Sequence, residues 1–192
     1  MVLRSAPADE ERQRYHPMPT CDHRERRPRF GERVWLAPNS WVTGDVEVGD
    51  DVSFWFHTVA RGDVHWIRIG AGTNVQDGAV LHVSAGVHPL DIGRGVVIGH
   101  QAVVHGCTLG DGALIGIGAR VLDGAVIGAG AQVAAGAVVA PGMEVPPGHL
   151  VMGVPARVKR ELSAADRAAI DEIRDRYIAL KEDYRRELGS GF

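Results

Sequence analysis

The chain has 192 residues, a formal net charge of −3 at pH 7, 25 glycines and only 6% aromatic residues. That length suits one domain with a sizeable core, and the charge leaves no basic footprint for nucleic acid or an anionic membrane. Two cysteines, Cys21 and Cys107, make no disulfide framework, and no apolar run approaches the roughly 20 residues that span a bilayer.

Residues 1–30 are polar, rich in Arg and Pro, and without helical or strand periodicity, which predicts an extended or disordered N-terminal arm. They hold no apolar segment of the signal-peptide kind, so the chain reads as cytoplasmic. His16 and His23 flank Cys21 incidentally.

Residues 31–160 carry a repeat. Apolar residues recur every six positions through Leu109, Ile115, Val121, Ile127, Val133, Val139, Val145 and Val151, with a small residue four positions after each of the first five, at Ala113, Ala119, Ala125, Ala131 and Ala137. The same step runs earlier through Leu36, Val42, Val48 and Phe54, then Ile69, Val75 and Leu81, then Ile92 and Ile98. Six is no helical period, but it fits short strands separated by tight turns. The pattern predicts an all-β fold, a parallel β-helix of triangular coils with three hexads to a turn. Residues 161–192 predict a helix. Ser163 and Asp166 can cap its start, and Ile170, Ile173, Tyr177, Leu180, Tyr184 and Leu188 form an apolar stripe that must pack on the solenoid.

The repeat also fixes which histidines can meet. One face is assigned Ala60, Leu81, Val104 and Val121; a second Ile69, Ile92, Leu109 and Ile127; a third Phe54, Val75, Ile98 and Ile115. The assignment treats SAGVHPLD after His82 as a loop inserted at a corner, with a one-residue contraction near Cys107. Arg61, His82 and His105 then form one column on successive coils, neighbours about 4.8 Å apart. His100, third in a hexad of the third face, stacks over Asp77 and meets the His82 column only through another copy in a cyclic trimer. Three neutral imidazoles with one open position are the ligand set of a catalytic zinc-type site. The alternative is a polar ladder at a trimer contact. His88, in the inserted loop, is a proton carrier or an ordinary loop histidine, and Cys107 is a small buried apolar residue.

The segments ARGDVHWIRIGAGTNVQDGAVLHV and IGHQAVVHGCTLGDGALIGIGA resemble the γ-class carbonic anhydrases, over roughly residues 29–188. The resemblance implies left-handed coils, an exception to the usual crossover, and a homotrimer. It places the metal ligands on His82 and His105 of one subunit and His100 of its neighbour. It implies Zn²⁺, with Fe²⁺ or Co²⁺ as alternatives. It gives Arg61 and Asp63 the part of an Arg–Asp pair between subunits beside the site. Gln76 and Asp77 would hydrogen-bond the metal-bound water. Tyr177 falls where the prototype has Asn and related shorter members have Tyr; its stripe position gives it a packing role as well. The short loop SAGVHPLD contains no Glu, so the chain resembles the shorter subclass that lacks the acidic proton-shuttle loop.

The implied reaction is reversible hydration of CO₂ to bicarbonate by a metal-bound hydroxide. The rival readings are a metal-dependent hydrolase of another small acyl compound, a non-catalytic scaffold, and a hexapeptide acyltransferase. An acyltransferase uses a single catalytic histidine and has no need of three that converge.

Overall fold

The computed structural model describes residues 20–189; most of the arm expected over 1–30 lies outside that range. From Trp35 onward, strands mostly two or three residues long recur at the hexapeptide step. Each pairs in parallel with the strand one coil away. One column runs Phe54, Val75, Ile98, Ile115 and Val133. A second runs Ala60, Leu81, Val104, Val121 and Val139. The third runs Ile69, Ile92, Leu109, Ile127 and Val145. These are the three predicted faces in the predicted register. They close into a parallel β-solenoid of about seven turns. Ahead of them, Thr20–Cys21 and Arg29–Phe30 pair in parallel with Trp41–Val48 and so join the first coil.

Each hexad points two side chains inward, and the prism narrows between them. From Leu109 to Val133 the large position takes Val, Ile or Leu, and the second takes alanine: Ala113, Ala119, Ala125, Ala131 and Ala137 are all fully or almost fully buried. Stacking at the strand spacing also leaves no room for a side chain at certain corners. A Cβ added at Gly116 would lie 2.5 Å from the backbone nitrogen of Ala135 in the next coil.

The helix, Ala164–Leu188, begins at a capping box in which Ser163 accepts from the Asp166 amide while the Asp166 carboxylate accepts from the Ser163 amide. It lies against the face of the Phe54 column and is held at three levels. Ile170 packs with Val97, Leu114 and Leu162. Tyr177 and Tyr184 pack with Trp35, Trp55 and Phe56, and the Tyr177 ring meets Trp55 edge-on at 5.1 Å. Lys181 is wholly buried and donates to the Arg33 carbonyl (3.0 Å) and the Asp51 carboxylate (2.9 Å). The buried face thus passes through Lys181, one step of four from Tyr177, while Leu180 and Leu188 of the predicted stripe are exposed. Among the described residues no helix is long and apolar enough to cross a membrane.

Candidate metal centre

The strands Val80–His82 and Val103–His105 lie side by side, with His82 opposite His105. Pleating points Leu81 and Val104 into the core and turns both imidazoles outward on the same face. Their rings approach to 3.0 Å between His82 Nδ1 and His105 Nε2. The remaining nitrogen of each ring is held by a carboxylate: His82 Nε2 by Asp63 at 3.0 Å, and His105 Nδ1 by Asp123 at 2.5 Å. The chain of contacts continues at both ends. Arg61 pairs with Asp63, and Ser84 Oγ donates to the other oxygen of Asp123 at 2.7 Å. Arg61 and Asp63 lie two apart on one strand and pair within the chain.

The electrostatics decide where the protons sit. Burial raises the pKa of Asp63, but hydrogen bonds from His82 and Arg61 outweigh it and hold the carboxyl below its usual range. Burial likewise opposes, and Ser84 and His105 outweigh, at Asp123. Ionised carboxylates are pure acceptors, so when both rings are neutral and donate outward their lone pairs face each other. Lone pairs 3.0 Å apart repel unless a proton or a cation lies between them. Two imidazoles on one tetrahedral ion at about 2.0–2.1 Å sit about 3.3 Å apart. The donor pair therefore fits a divalent ion with a shift of a few tenths of an ångström. Burial also pushes the His82 pKa down, which favours the neutral form a metal requires.

His100 sits in the turn that follows Val97–Ile98, a strand of the other sheet, and does not join this pair within the chain. Its Nδ1 lies 2.8 Å from Asp77, whose second oxygen accepts from the Phe56 amide. Its Nε2 lies 3.3 Å from the Tyr177 hydroxyl. Burial first, then the charge of Asp77, raises the Tyr177 pKa, so the phenol keeps its proton to donate. Gln76 is buried nearby and donates to Asn74 Oδ1 at 3.0 Å. His100, Gln76 and Tyr177 line a cleft of about 340 Å³ whose rim includes Ile117, 57% exposed.

Sequence reasoning missed Asp123 and Ser84. Cys107 is buried and its thiol pKa is raised by burial, which keeps it protonated. Among the described residues no single chain groups three metal-ligating side chains around an ion position.

Fold and site together define a hexapeptide-repeat solenoid that carries a carboxylate-clamped histidine pair on one face and a third clamped histidine on another. Residues 106–141 match the family described as bacterial transferase hexapeptide (six repeats). A Methanocaldococcus jannaschii protein named as a probable carbonic anhydrase is 50% identical over 80% of this chain and 96% of its own length. Gamma carbonic anhydrase 1 of Arabidopsis thaliana, a longer mitochondrial protein, is 40% identical over 85% of this chain, which spans 61% of it. A solved Anaplasma phagocytophilum structure, described as a hexapeptide transferase family protein, is 37% identical, covers 85% of this chain and 96% of that one, and has a TM-score of 0.80. The chain belongs to the γ-class carbonic anhydrase family.

Proposed function

We propose that this protein is a metal-dependent carbonic anhydrase interconverting CO₂ and bicarbonate, with each site shared between two copies of a homotrimer. The observation that carries the reading is the pair of imidazoles that face each other at 3.0 Å, each held by a carboxylate behind it. His82 and His105 of one copy and His100 of a second copy would hold the ion. Zn²⁺, Fe²⁺ and Co²⁺ all suit three imidazoles. Bound there, such an ion supplies Lewis acidity that lowers the pKa of water from 15.7 to about 7, a magnitude known from carbonic anhydrases as a class.

The chain's own residues do the rest. Asp63, Asp123 and Asp77 keep one proton on each ring and leave one lone pair free for ligation. Gln76, its amide nitrogen committed to Asn74, presents its carbonyl as the group that orients the attacking oxygen. Tyr177 holds the free nitrogen of His100 before assembly and becomes an available donor at the cleft once that nitrogen turns to the ion. Ile117 and its apolar neighbours at the rim exclude water from a small nonpolar substrate.

One observation favours a second reading. The transferase description of the Anaplasma relative points to acyl transfer, which needs a single general base and leaves the clamped pair without a task. The deciding experiment measures metal content and CO₂ hydration on one anaerobically purified sample reconstituted with Zn²⁺ or Fe²⁺, beside His105→Ala. Bound metal with turnover abolished in the variant supports the proposal. Metal without hydration, but with ester or thioester cleavage, converts it to a hydrolase; metal with no turnover leaves a scaffold. Absence of metal in every preparation overturns it.

A further inference from the structure

Three carboxylates stand behind the three histidines, and one of them is placed unlike the others. Asp63 and Asp77 precede the histidines they hold, on coils below them. Asp123 comes from the coil above and reaches down to His105. Its approach depends on the contraction at Gly106, where φ is +53°. A Cβ there would stand 2.5 Å from Asp123 Oδ1 and 2.9 Å from the Cβ of His88. The missing side chain is the space through which the carboxylate passes. The same space admits the inserted loop, which closes on itself through paired backbone bonds between Ser84 and His88. That closure presents the Ser84 hydroxyl to the second oxygen of Asp123 at 2.7 Å. One oxygen of the carboxylate meets the imidazole and the other the serine, so both are engaged.

We propose that Asp123, locked by Ser84, is the positioning residue for His105: it fixes which imidazole nitrogen carries the proton and thereby sets the affinity of the metal site. The inference rests on the metal reading above but concerns residues that the sequence alone does not single out. Without Asp123 the His105 ring can place its proton on Nε2, where it blocks ligation, and can turn away from His82. Groups of this kind typically govern metal affinity by 10–100-fold. The serine, which acts on His105 only through the carboxylate, carries a smaller share, about fivefold.

The test uses Asp123→Asn, Asp123→Ala and Ser84→Ala in the full chain. Asp111→Asn serves as the control, its carboxylate capping the Arg94 amide at an equivalent corner. Two readouts are taken: Zn²⁺ affinity by competition with a chromogenic chelator, and the His105 tautomer in metal-free protein by ¹⁵N NMR at pH 8. The expected result is a fall of 10–100-fold for both Asp123 variants, a fall of about fivefold for Ser84→Ala, and no change for the control. In the same order the NMR signal of the Nδ1–H tautomer gives way to a mixture. Ser84→Ala deletes one hydroxyl at a loop and keeps the test open if the Asp123 variants fail to fold. Affinities within twofold of wild type, or weakened binding with the tautomer unchanged, would overturn the inference. Wild-type protein that binds no Zn²⁺ overturns the metal reading instead, while the tautomer measurement still reads the role of Asp123.

Discussion

Mixing two inactive variants reads the proposed division of the ligand set directly. His82 and His105 follow core residues Leu81 and Val104 on one face, whereas His100 follows Ile98 on the face of the other sheet. Within its own chain the free nitrogen of His100 is taken by Tyr177. His100→Ala keeps the clamped pair and loses the third ligand; His82→Ala keeps His100 and breaks the pair. Neither homotrimer has an intact site. In a cyclic trimer assembled at random from equal amounts of both, an intact pair faces an intact His100 at about one interface in four. A preparation purified for trimers containing both variants carries one good site in three, because a 2:1 ring has a single productive junction. The assay is co-expression with two affinity tags, sequential purification, then metal content and CO₂ hydration per trimer. About one third of the wild-type value, from parents near zero, is the expected result. Mixed trimers no better than the average of the parents would refute the division, since a site built within one chain gains nothing from mixing.

Other substitutions test the frame. Lys181→Ala removes a fully buried ammonium and its packed stem but leaves Asp51 paired with Arg33. The loss should fall near 2–3 kcal/mol by urea unfolding, below the 3–5 typical when a partner charge is stranded. Asp51 has its pKa lowered from 3.8 to about 2, by the Arg33 hydrogen bond first and by Lys181 as well. A depressed carboxylate stabilises the fold above its unfolded pKa, so about 1 kcal/mol, discounted for solvent screening, is lost as pH falls from 3.8 through 2. Asp51→Asn should flatten that limb of an acid titration, and an unchanged limb counts against the ion pair. Tyr177→Phe keeps the ring on Trp55 and deletes one hydroxyl. Melting should shift little, while kcat/KM for CO₂ falls about fivefold; an equal loss in both assigns Tyr177 to packing alone. Gly116→Val drives a side chain into the Ala135 backbone and should destabilise by about 3 kcal/mol in the same unfolding assay.

The fold was legible because one constraint repeats. A hexad has two inward positions, and a strand pleat alternates with period two, so the apolar spacing alone determines which residues stack. Even the inserted loop after His82 and the contraction at Gly106 could be placed, since only one choice restores Leu109 over Ile92. Corners are another matter. Asp77-Gly78, Asp111-Gly112 and Asp123-Gly124 read alike in sequence. In the structure they serve a histidine above, the Arg94 amide below and a histidine below. Which partner a corner carboxylate finds depends on the local turn and on what the neighbouring coil leaves open, and no spacing encodes that. Lys181 escaped for a related reason. A lysine reads as solvated, and the Asp51 and Arg33 acceptors on the solenoid, with Glu182 beside it on the helix, make its burial tolerable.

The carboxylates also bear on how assembly and metal affect each other. Each histidine is held by an aspartate of its own chain: Asp63 and Asp123 for the pair, Asp77 for His100. On the proposed division both half-sites are therefore oriented before two copies meet, and assembly has only to bring them into range. A site with two imidazoles in one copy and one in the next binds its ion more tightly in the trimer than in the separated chain. By linkage the ion must then favour the trimer by the same factor. The aspartates set how large that factor is, because a third ligand already oriented loses little freedom on engaging. Loosening His100 through Asp77→Asn should weaken metal binding and trimer association together. Loosening the pair through Asp123→Asn should do the same, and neither variant should change association measured without metal.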